Sequence, residues 1–347
     1  MSELSKSHDH VLFTRERRPK TGAGAARRVL LVHGNVASGV FFEPLMLAAP
    51  DSYHLVAPDL RGYGDTKERP IDATRGLRDF SDDLAALTAS LGWNEGVHVV
   101  GWSVGGGVAM QLAIDHPALL ATITLVAPVP PCGFGGNHGV DCTPNAPDFA
   151  GSGGGVVSPA FVEAIRTKDR GADTQSPRTI LRKFFFDEAH FTPPADREEA
   201  WVDAIVATRI GDDYYPGDSV PSTSWPSVAP GTRGVGNAFS AKHLDLRPFA
   251  ELSRKPPVLW IRGANDAIVS DASFFDLALL GKLGLVPGYP GEEVVPPQPM
   301  IAQTRALLDR YRDGGGDVRE VVLPDVGHSP FLEAPAAFLE ALVARIG

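Results

Sequence analysis

The sequence predicts an α/β fold: a mostly parallel central sheet with helices on both faces, and a largely helical cap inserted after the sixth strand. Three observations predict it. Short apolar runs such as 29–32 and 97–101 alternate with amphipathic segments of helical period such as 77–91. The alternation returns after residue 257. Between these parts, a Gly- and Pro-rich stretch at about 131–246 interrupts it, as an insertion between two strands does.

Each element follows from its own local pattern. Capping serines followed by proline, at Ser158-Pro159 and Ser176-Pro177, predict two helix starts inside the insertion. We assign 1–130 and 247–347 to an α/β core domain and 131–246 to the cap. Strands are predicted at 10–19, 29–32, 54–58, 97–101, 121–126, 258–261 and 318–323, with a turn at 22–26. Helices are predicted at 41–49, 77–91, 108–114, 195–208, 274–280, 300–311 and 330–346.

Composition and charge narrow the class of partner. The 347 residues carry a net charge of −10, which argues against nucleic acid as the main partner because phosphate binding needs a basic face. No apolar run approaches the roughly 18 residues of a membrane span, and the first residues lack the apolar stretch of a secretory leader. We therefore expect a cytoplasmic protein with a small-molecule partner and no membrane. The number of subunits stays open.

The two cysteines, Cys132 and Cys142, supply neither a disulfide framework nor a metal-ligand set. They lie ten positions apart, so a bridge between them is possible in principle. In the cytoplasm thiols stay reduced, and we expect these two to be free. The histidines of the middle region, His138, His190 and His243, show no spacing of metal ligands. We expect no metal and no cofactor.

A serine at a sharp joint is the first candidate for chemistry. Ser103 lies between an apolar run and a helical run, within Gly101-Trp102-Ser103-Val104-Gly105. The turn from strand to helix crowds the positions two before and two after the serine, which favours glycine at both. A helix beginning near Val104 directs its free N–H groups at the site and favours negative charge there. The pattern predicts a nucleophile.

A nucleophilic serine needs an imidazole base and a carboxylate that orients it. His328 lies on a loop between the last predicted strand and the last predicted helix. Asp266 follows the preceding strand, with Asp271 as the alternative acid. The resulting order is Ser103, Asp266, His328.

With these residues in place, the chain resembles the α/β-hydrolase superfamily, in particular its esterase, lactonase and C–C-hydrolase-like members. The motifs that carry the resemblance lie in the expected order over about 27–130 and 247–347, and the insertion lies where the family places its cap. These motifs are Leu31-Val32-His33-Gly34-Asn35, Asp59-Leu60-Arg61-Gly62-Tyr63-Gly64, Gly101-Trp102-Ser103-Val104-Gly105, Gly263-Ala264-Asn265-Asp266 and Gly327-His328-Ser329-Pro330.

The resemblance implies an oxyanion hole made of the backbone N–H groups of Asn35 and Val104, with Val36 as the less favoured donor. Dehalogenase and epoxide-hydrolase relatives use an aspartate nucleophile, so Ser103 disfavours both activities. We expect His33 to brace the loop beneath the oxyanion hole and Asp59 and Arg61 to fix the loop after the second core strand. Asp82 and Asp83 are interpreted as a solvated helix face. Candidate pocket residues are Trp102, Val36, Phe184, Tyr214 and Trp225, and the segment 284–299 is a further candidate wall.

Three functions remain open at this point. The first is a serine hydrolase that cleaves an ester or lactone of a fairly apolar small molecule through an acyl-enzyme. The second is a C–C hydrolase of anionic diketo acids, which needs a cation near the pocket. Its candidates are Arg166, Arg170, Arg178, Arg182 and Lys183. The third is a slow enzyme, a lyase or a ligand-binding protein on the same scaffold, which the intact set of catalytic residues argues against.

Overall fold

Eight strands form one sheet in the computed structural model, which describes residues 4–8, 11–20, 26–66 and 68–347. The strands are β1 (Ser5–Ser7), β2 (Thr14–Arg17), β3 (Arg27–Val32), β4 (Tyr53–Pro58), β5 (Val97–Trp102), β6 (Leu120–Val126), β7 (Val258–Gly263) and β8 (Val318–Leu323). Their spatial order in the sheet is β1-β2-β4-β3-β5-β6-β7-β8. Strand β2 pairs antiparallel with β1 and β4, and the other pairs are parallel. The prediction of a mostly parallel sheet is confirmed.

Helices pack on the sheet and fill the connections between its strands. The helix after β5 is buried along almost its whole length, in agreement with its mostly apolar sequence. The helices are α1 (Glu43–Ala48), α2 (Arg78–Ser90), α3 (Val104–Asp115), α4 (Pro159–Arg166), α5 (Pro177–Ile180), α6 (Ala195–Val206), α7 (Val235–Ala238), α8 (Leu277–Lys282), α9 (Met300–Asp313), α10 (Pro330–Glu333) and α11 (Pro335–Ile346). Short 3-10 turns occupy Gly39–Phe42, Ala73–Arg75, Gly154–Val156 and Arg247–Glu251, and a π-helical turn occupies Leu181–Phe185.

Most predicted elements lie within a few residues of the observed ones, because buried parallel strands are continuous apolar runs. Strand β1 was not predicted, since Ser5–Ser7 has no apolar residue. The last helix divides into α10 and α11 at Ala334, where Pro335 prevents a continuous helix. The predicted helix at 274–280 begins later, at Leu277. The predicted turn at 22–26 lies, up to residue 25, outside the described residues.

Residues 131–246 lie between β6 and β7 and contain α4 to α7 joined by long irregular stretches, so the prediction of a largely helical insertion is wrong. Ser158 and Ser176 cap α4 and α5 through their side chains, as predicted. Three small two-stranded ribbons complete the segment: Asn137–His138 with Thr143–Pro144, Ile210–Gly211 with Tyr215–Pro216, and Ser219–Pro221 with Val228–Pro230.

The cysteines are paired, which corrects the expectation of free thiols. Cys132 and Cys142 form a disulfide with their Cα atoms 6.0 Å apart. The expectation rested on the assumed compartment, whereas the ribbon of Asn137–His138 with Thr143–Pro144 folds the loop back and brings the two residues together.

The interpretation of Asp83 as a solvated residue is also wrong. Asp83 is buried on α2, and both its oxygens accept hydrogen bonds from the Arg61 guanidinium, at 2.7 and 2.8 Å. This paired charge fixes the loop after β4, as expected for Arg61. Asp82, one position earlier, is exposed. Among the described residues, no helix is long and apolar enough to cross the hydrocarbon core of a membrane.

Candidate active site

Ser103 occupies a strained turn between β5 and α3. Its backbone has φ 58° and ψ −122°, a conformation that non-glycine residues rarely adopt. A Cβ on Gly101 would lie 2.2 Å from the Gly105 carbonyl oxygen, and a Cβ on Gly105 would lie 2.2 Å from the Val32 carbonyl oxygen. Both glycines are therefore required by sterics, as the sequence predicted, and the turn presents Ser103 at the carboxyl edge of the sheet.

His328 and Asp266 form a buried pair beside this turn. His328 Nδ1 lies 2.8 Å from Asp266 Oδ2, and both side chains are almost fully enclosed. The other carboxylate oxygen, Oδ1, accepts hydrogen bonds from the Ile268 and Val269 N–H groups, at 2.8 and 3.0 Å. A carboxylate held in this way places the proton of His328 on Nδ1, so Nε2 is left as the acceptor.

Trp102 ties the histidine loop to the nucleophile turn. Its indole Nε1 donates to the His328 carbonyl oxygen at 2.8 Å, and its ring lies 5.7 Å from the imidazole. Ser103 and His328 both line one cavity, and no hydrogen bond joins Ser103 Oγ to the imidazole in this structure. Such a bond commonly tightens only when substrate binds.

Asp271, the alternative acid, has a different role. It is exposed, and its Oδ1 accepts the N–H groups of Ile301 and Ala302 at 2.8 and 3.2 Å, at the beginning of α9. The geometry therefore places Asp266, and not Asp271, at the imidazole.

The proposed oxyanion donors lie on either side of Ser103. Val104 is the first residue of α3, where a backbone N–H has no partner within the helix. The loop that contains Asn35 lies against the nucleophile, since a Cβ on Gly34 would be 2.8 Å from the Ser103 Cβ. Asn35 also lines the cavity.

Tyr63 fixes the Asn35 loop. The sequence did not reveal this role, although Tyr63 belongs to the motif Asp59-Leu60-Arg61-Gly62-Tyr63-Gly64. Its hydroxyl donates to Asn35 Oδ1 at 2.6 Å. Burial raises the pKa of Tyr63 well above its ordinary value, and a hydrogen bond from the Val36 N–H opposes that rise. Tyr63 therefore fixes the side chain of Asn35, whose backbone N–H is the predicted second oxyanion donor.

The cavity in front of Ser103 has a volume of about 430 Å³ and walls without formal charge. Among the described residues, no Lys, Arg, Asp or Glu lines it. Its polar side chains are Asn35, Ser103, Ser158, Gln175, Tyr215 and His328. Aromatic rings form much of the remaining wall, including Trp102, Phe134, Phe161, Phe184, Phe185 and Phe275.

Three of the five predicted pocket residues line this cavity: Trp102, Val36 and Phe184. Tyr214 does not, because its ring lies beside Gly62, while the next residue, Tyr215, lines the cavity. Trp225 does not either.

The indole Nε1 of Trp225 donates to the Pro287 carbonyl oxygen at 3.0 Å, and its ring packs against Tyr289. The segment 284–299 contributes no lining residue, and the wall on that side comes from 268–280.

The five candidate cations of the insertion do not reach the cavity wall. Arg170, Arg178 and Arg182 form ion pairs with Glu198, Glu199 and Asp203 on α6. Arg166 pairs with Glu163 on its own helix, and the Lys183 ammonium lies over the Phe184 ring, 5.6 Å from its centre.

Comparison with known proteins agrees with the fold. The sequence model of the alpha/beta hydrolase family matches residues 29–341. The chain belongs to this family. A thermophilic esterase from Thermogutta terrifontis has the same fold, with a TM-score of 0.56, 19% sequence identity, and coverage of 99% of this chain and 97% of the other.

Curated relatives of this α/β-hydrolase match over shorter stretches. A probable lysophospholipase from Arabidopsis thaliana, BODYGUARD 2, is 30% identical over 132 residues, which are 37% of this chain and 28% of the relative. A pimeloyl-[acyl-carrier protein] methyl ester esterase from Neisseria meningitidis is 33% identical over 114 residues, 33% of this chain and 41% of the relative. The chain thus spans less than half the length of either curated relative.

His33 braces the oxyanion loop of the hydrolase, as expected. It is fully buried, its Nδ1 donates to the Gly34 carbonyl oxygen at 2.7 Å, and its Nε2 accepts the Leu60 N–H at 2.9 Å. Burial lowers the pKa of His33 to about 3. The ring is therefore neutral at physiological pH and takes no proton from Ser103.

The low pKa of His33 predicts a loss of stability in acid. The unfolded chain binds a proton at this residue below its ordinary pKa, about 6.5, and the folded chain does not until about pH 3. The free energy of unfolding should thus fall by about 1.4 kcal/mol per pH unit across this window. Urea unfolding of the wild type and of His33→Asn at pH 7, 6, 5 and 4 measures the effect. His33→Asn should lose stability less steeply, and parallel curves would contradict the assignment.

Proposed function

We propose that this α/β-hydrolase is a serine hydrolase that cleaves a carboxylic ester or lactone of an uncharged, largely apolar small molecule. Ser103 is the nucleophile, His328 the general base and acid, and Asp266 the residue that orients His328. The N–H groups of Asn35 and Val104 hold the oxyanion. No other partner and no cofactor enters the proposal.

The observation that carries this proposal is the cavity, which joins an uncharged, aromatic wall to Ser103 and His328. A charged group of a substrate that enters such a cavity loses its hydration, and no ion pair compensates for that loss. An apolar acyl or aryl group of comparable size loses water-exposed surface and binds favourably. The names of the esterase relatives support cleavage of an ester bond.

The reaction follows from the position of each group. Ser103 Oγ attacks the carbonyl carbon while its proton passes to His328 Nε2, and the carbonyl oxygen becomes an anion between the two N–H donors. Each donor contributes roughly 3 kcal/mol of transition-state stabilisation. The imidazolium, balanced by Asp266, then gives its proton to the leaving oxygen. Water attacks the acyl-enzyme and loses a proton to His328, which passes that proton to Ser103 Oγ as the acid leaves.

The C–C hydrolase is the weaker alternative. Its anionic diketo-acid substrates need a cation at the pocket, and the nearby arginines of the insertion are held by acidic partners on α6. A lyase or ligand-binding role is disfavoured because Ser103 and His328 line the same cavity and His328 is paired with Asp266, as acyl transfer requires.

We further propose that 131–246 acts as the cap over this site and that 1–130 and 247–347 form the core. The cavity supports this division, since Phe134, Phe161, Phe185 and Tyr215 of the segment face Ser103 and His328 of the remainder. The choice of substrate then depends mainly on residues outside the sheet.

A matched pair of substrates tests the proposal. p-Nitrophenyl hexanoate and mono-p-nitrophenyl adipate have acyl chains of equal length, but the second ends in a carboxylate. We expect kcat/KM to be at least about 100-fold lower for the adipate, since burying one unpaired charge costs several kcal/mol. Ser103→Ala supplies the background rate for both. Comparable turnover of the two esters would contradict an uncharged pocket and favour the C–C hydrolase.

A cytoplasmic location, favoured by the sequence, remains a proposal. The Cys132–Cys142 disulfide weighs against it, because cytoplasmic thiols stay reduced. Alkylation of the protein during cell lysis, followed by mass measurement, tests the location. Labelling of both cysteines would support a cytoplasmic location. A protein with no labelled cysteine would contradict it.

A further inference from the structure

Glu333 accepts three backbone hydrogen bonds around the catalytic histidine. Its Oε2 accepts the Gly327 N–H at 2.8 Å, and its Oε1 accepts the Ser329 N–H at 2.9 Å. These are the two residues that flank His328. The third donor is the Asp187 N–H, at 2.7 Å from Oε2, which belongs to the 131–246 segment. One carboxylate thus joins the histidine loop to the segment that covers the site.

Asp187 reaches the other catalytic loop as well. Its Oδ2 accepts a hydrogen bond from Asn265 Nδ2 at 2.6 Å, and Asn265 directly precedes the triad acid Asp266. The segment that contains Asp187 lies close to the histidine loop, because a Cβ on Gly327 would be 2.5 Å from the Asp187 nitrogen. Asp187 is therefore fixed between the histidine loop and the acid loop.

The same short segment builds the pocket wall. Phe184 and Phe185, three and two positions before Asp187, line the cavity. The Phe185 ring lies 6.4 Å from the His328 imidazole and 5.7 Å from the Trp102 indole. The residues of this wall are therefore joined to both loops through Asp187.

We propose that Glu333 and Asp187 form a clamp that positions His328 and Asp266 against the Phe184–Phe185 wall. Glu333 is thereby a positioning residue: it touches no substrate and acts through the backbone on both sides of His328. The inference rests on the proposed function for its kinetic test, but the geometry of the His328–Asp266 pair is measurable without any substrate. Burial raises the pKa of Glu333, and the three N–H donors oppose that rise.

Glu333→Gln tests the clamp with almost no change of shape. An amide has only one acceptor oxygen. Its NH2 group must therefore face either the Ser329 N–H or the N–H groups of Gly327 and Asp187, and the hydrogen bonds on that side are lost. We expect kcat for p-nitrophenyl hexanoate to fall about 10- to 100-fold, the size of effect that a small misplacement of a catalytic group produces. KM should stay within about twofold, because Glu333 does not line the cavity. Glu340→Gln, an exposed glutamate of α11, is the matched control.

Proton NMR supplies the readout that a merely structural role would not move. We expect the proton between His328 Nδ1 and Asp266 Oδ2, which lie 2.8 Å apart, to give a strongly downfield signal in the wild-type enzyme. Glu333→Gln should shift or broaden it at an unchanged Tm, and Glu340→Gln should leave it alone. A Glu333→Gln enzyme with wild-type kcat and an unchanged signal would overturn the clamp.

Asn265→Ala removes the hydrogen bond from Asn265 to Asp187. It tests the clamp independently if Glu333→Gln fails to fold. It leaves the Glu333 bonds intact, so we expect a smaller loss of kcat, about threefold to tenfold, with a shifted signal. Unchanged kcat and signal would overturn the proposal. If the wild type cleaves no ester but both variants move the signal, the clamp stands and the proposed function fails.

Discussion

Replacing Ser103 by alanine is expected to lower kcat for p-nitrophenyl hexanoate by about 10⁵- to 10⁶-fold. The variant keeps the cavity, the two N–H donors and the His328–Asp266 pair, but it has no oxygen that can attack the carbonyl. Only positioning and oxyanion stabilisation of a direct water attack remain, and these are weak without the nucleophile.

The folded state should tolerate this change. Alanine has the same Cβ as serine, so the strained backbone at φ 58° is not altered, and no partner of Ser103 Oγ is lost. Steady-state kinetics together with Tm measure the effect, with Ser253→Ala, an exposed serine, as the control. Residual activity within tenfold of the wild type would exclude Ser103 as the nucleophile.

Replacing Asp266 by asparagine should lower kcat by about 10⁴-fold. The Ile268 and Val269 N–H groups need an acceptor at Oδ1, so the amide oxygen stays there and the NH2 group faces His328 Nδ1. A donor at this place moves the ring proton to Nε2, and the imidazole then cannot accept the proton of Ser103.

Asp271→Asn is the matched control for this prediction, because Asp271 is the other acid of the same loop and caps α9. Its kcat should stay within about twofold of the wild type. A loss of activity confined to Asp271→Asn would contradict the assignment of the triad acid. Loss in both variants at lowered Tm would point to damage of the loop and not to chemistry.

The nucleophile turn could be predicted because local sterics determine it. A strand and a helix that meet sharply at Ser103 leave no room for a side chain at positions 101 and 105, and glycine stands at both. The order of Ser103, Asp266 and His328 follows the order of the strands. The sheet was predictable for a related reason, since its parallel strands are buried on both faces and appear as apolar runs.

Residues of the 131–246 segment were harder, because no periodicity fixes how an irregular chain folds. Tyr214 and Tyr215 are neighbours, and only the structure shows that the second faces the cavity. Trp225 was chosen as an aromatic residue of this segment, but it packs against Tyr289. Both errors come from a choice based on residue type where orientation decides.

Charged residues show the same limit. Asp83 has the same side chain as the exposed Asp82, and its burial depends on a guanidinium 22 positions away, on Arg61. The sequence could not predict the three partners of Glu333, because they are backbone N–H groups and almost every residue has one. Pairings that bring together distant parts of the chain require the fold to be known.

Rapid mixing of the enzyme with excess p-nitrophenyl hexanoate tests the central claim most directly, namely that Ser103 forms an acyl-enzyme. p-Nitrophenol leaves in the acylation step, before water releases the acid. The account predicts a burst close to one equivalent of enzyme in the wild type and none in Ser103→Ala. Turnover by the wild type with an equal burst in Ser103→Ala would contradict it, because the covalent intermediate would then lie on another residue.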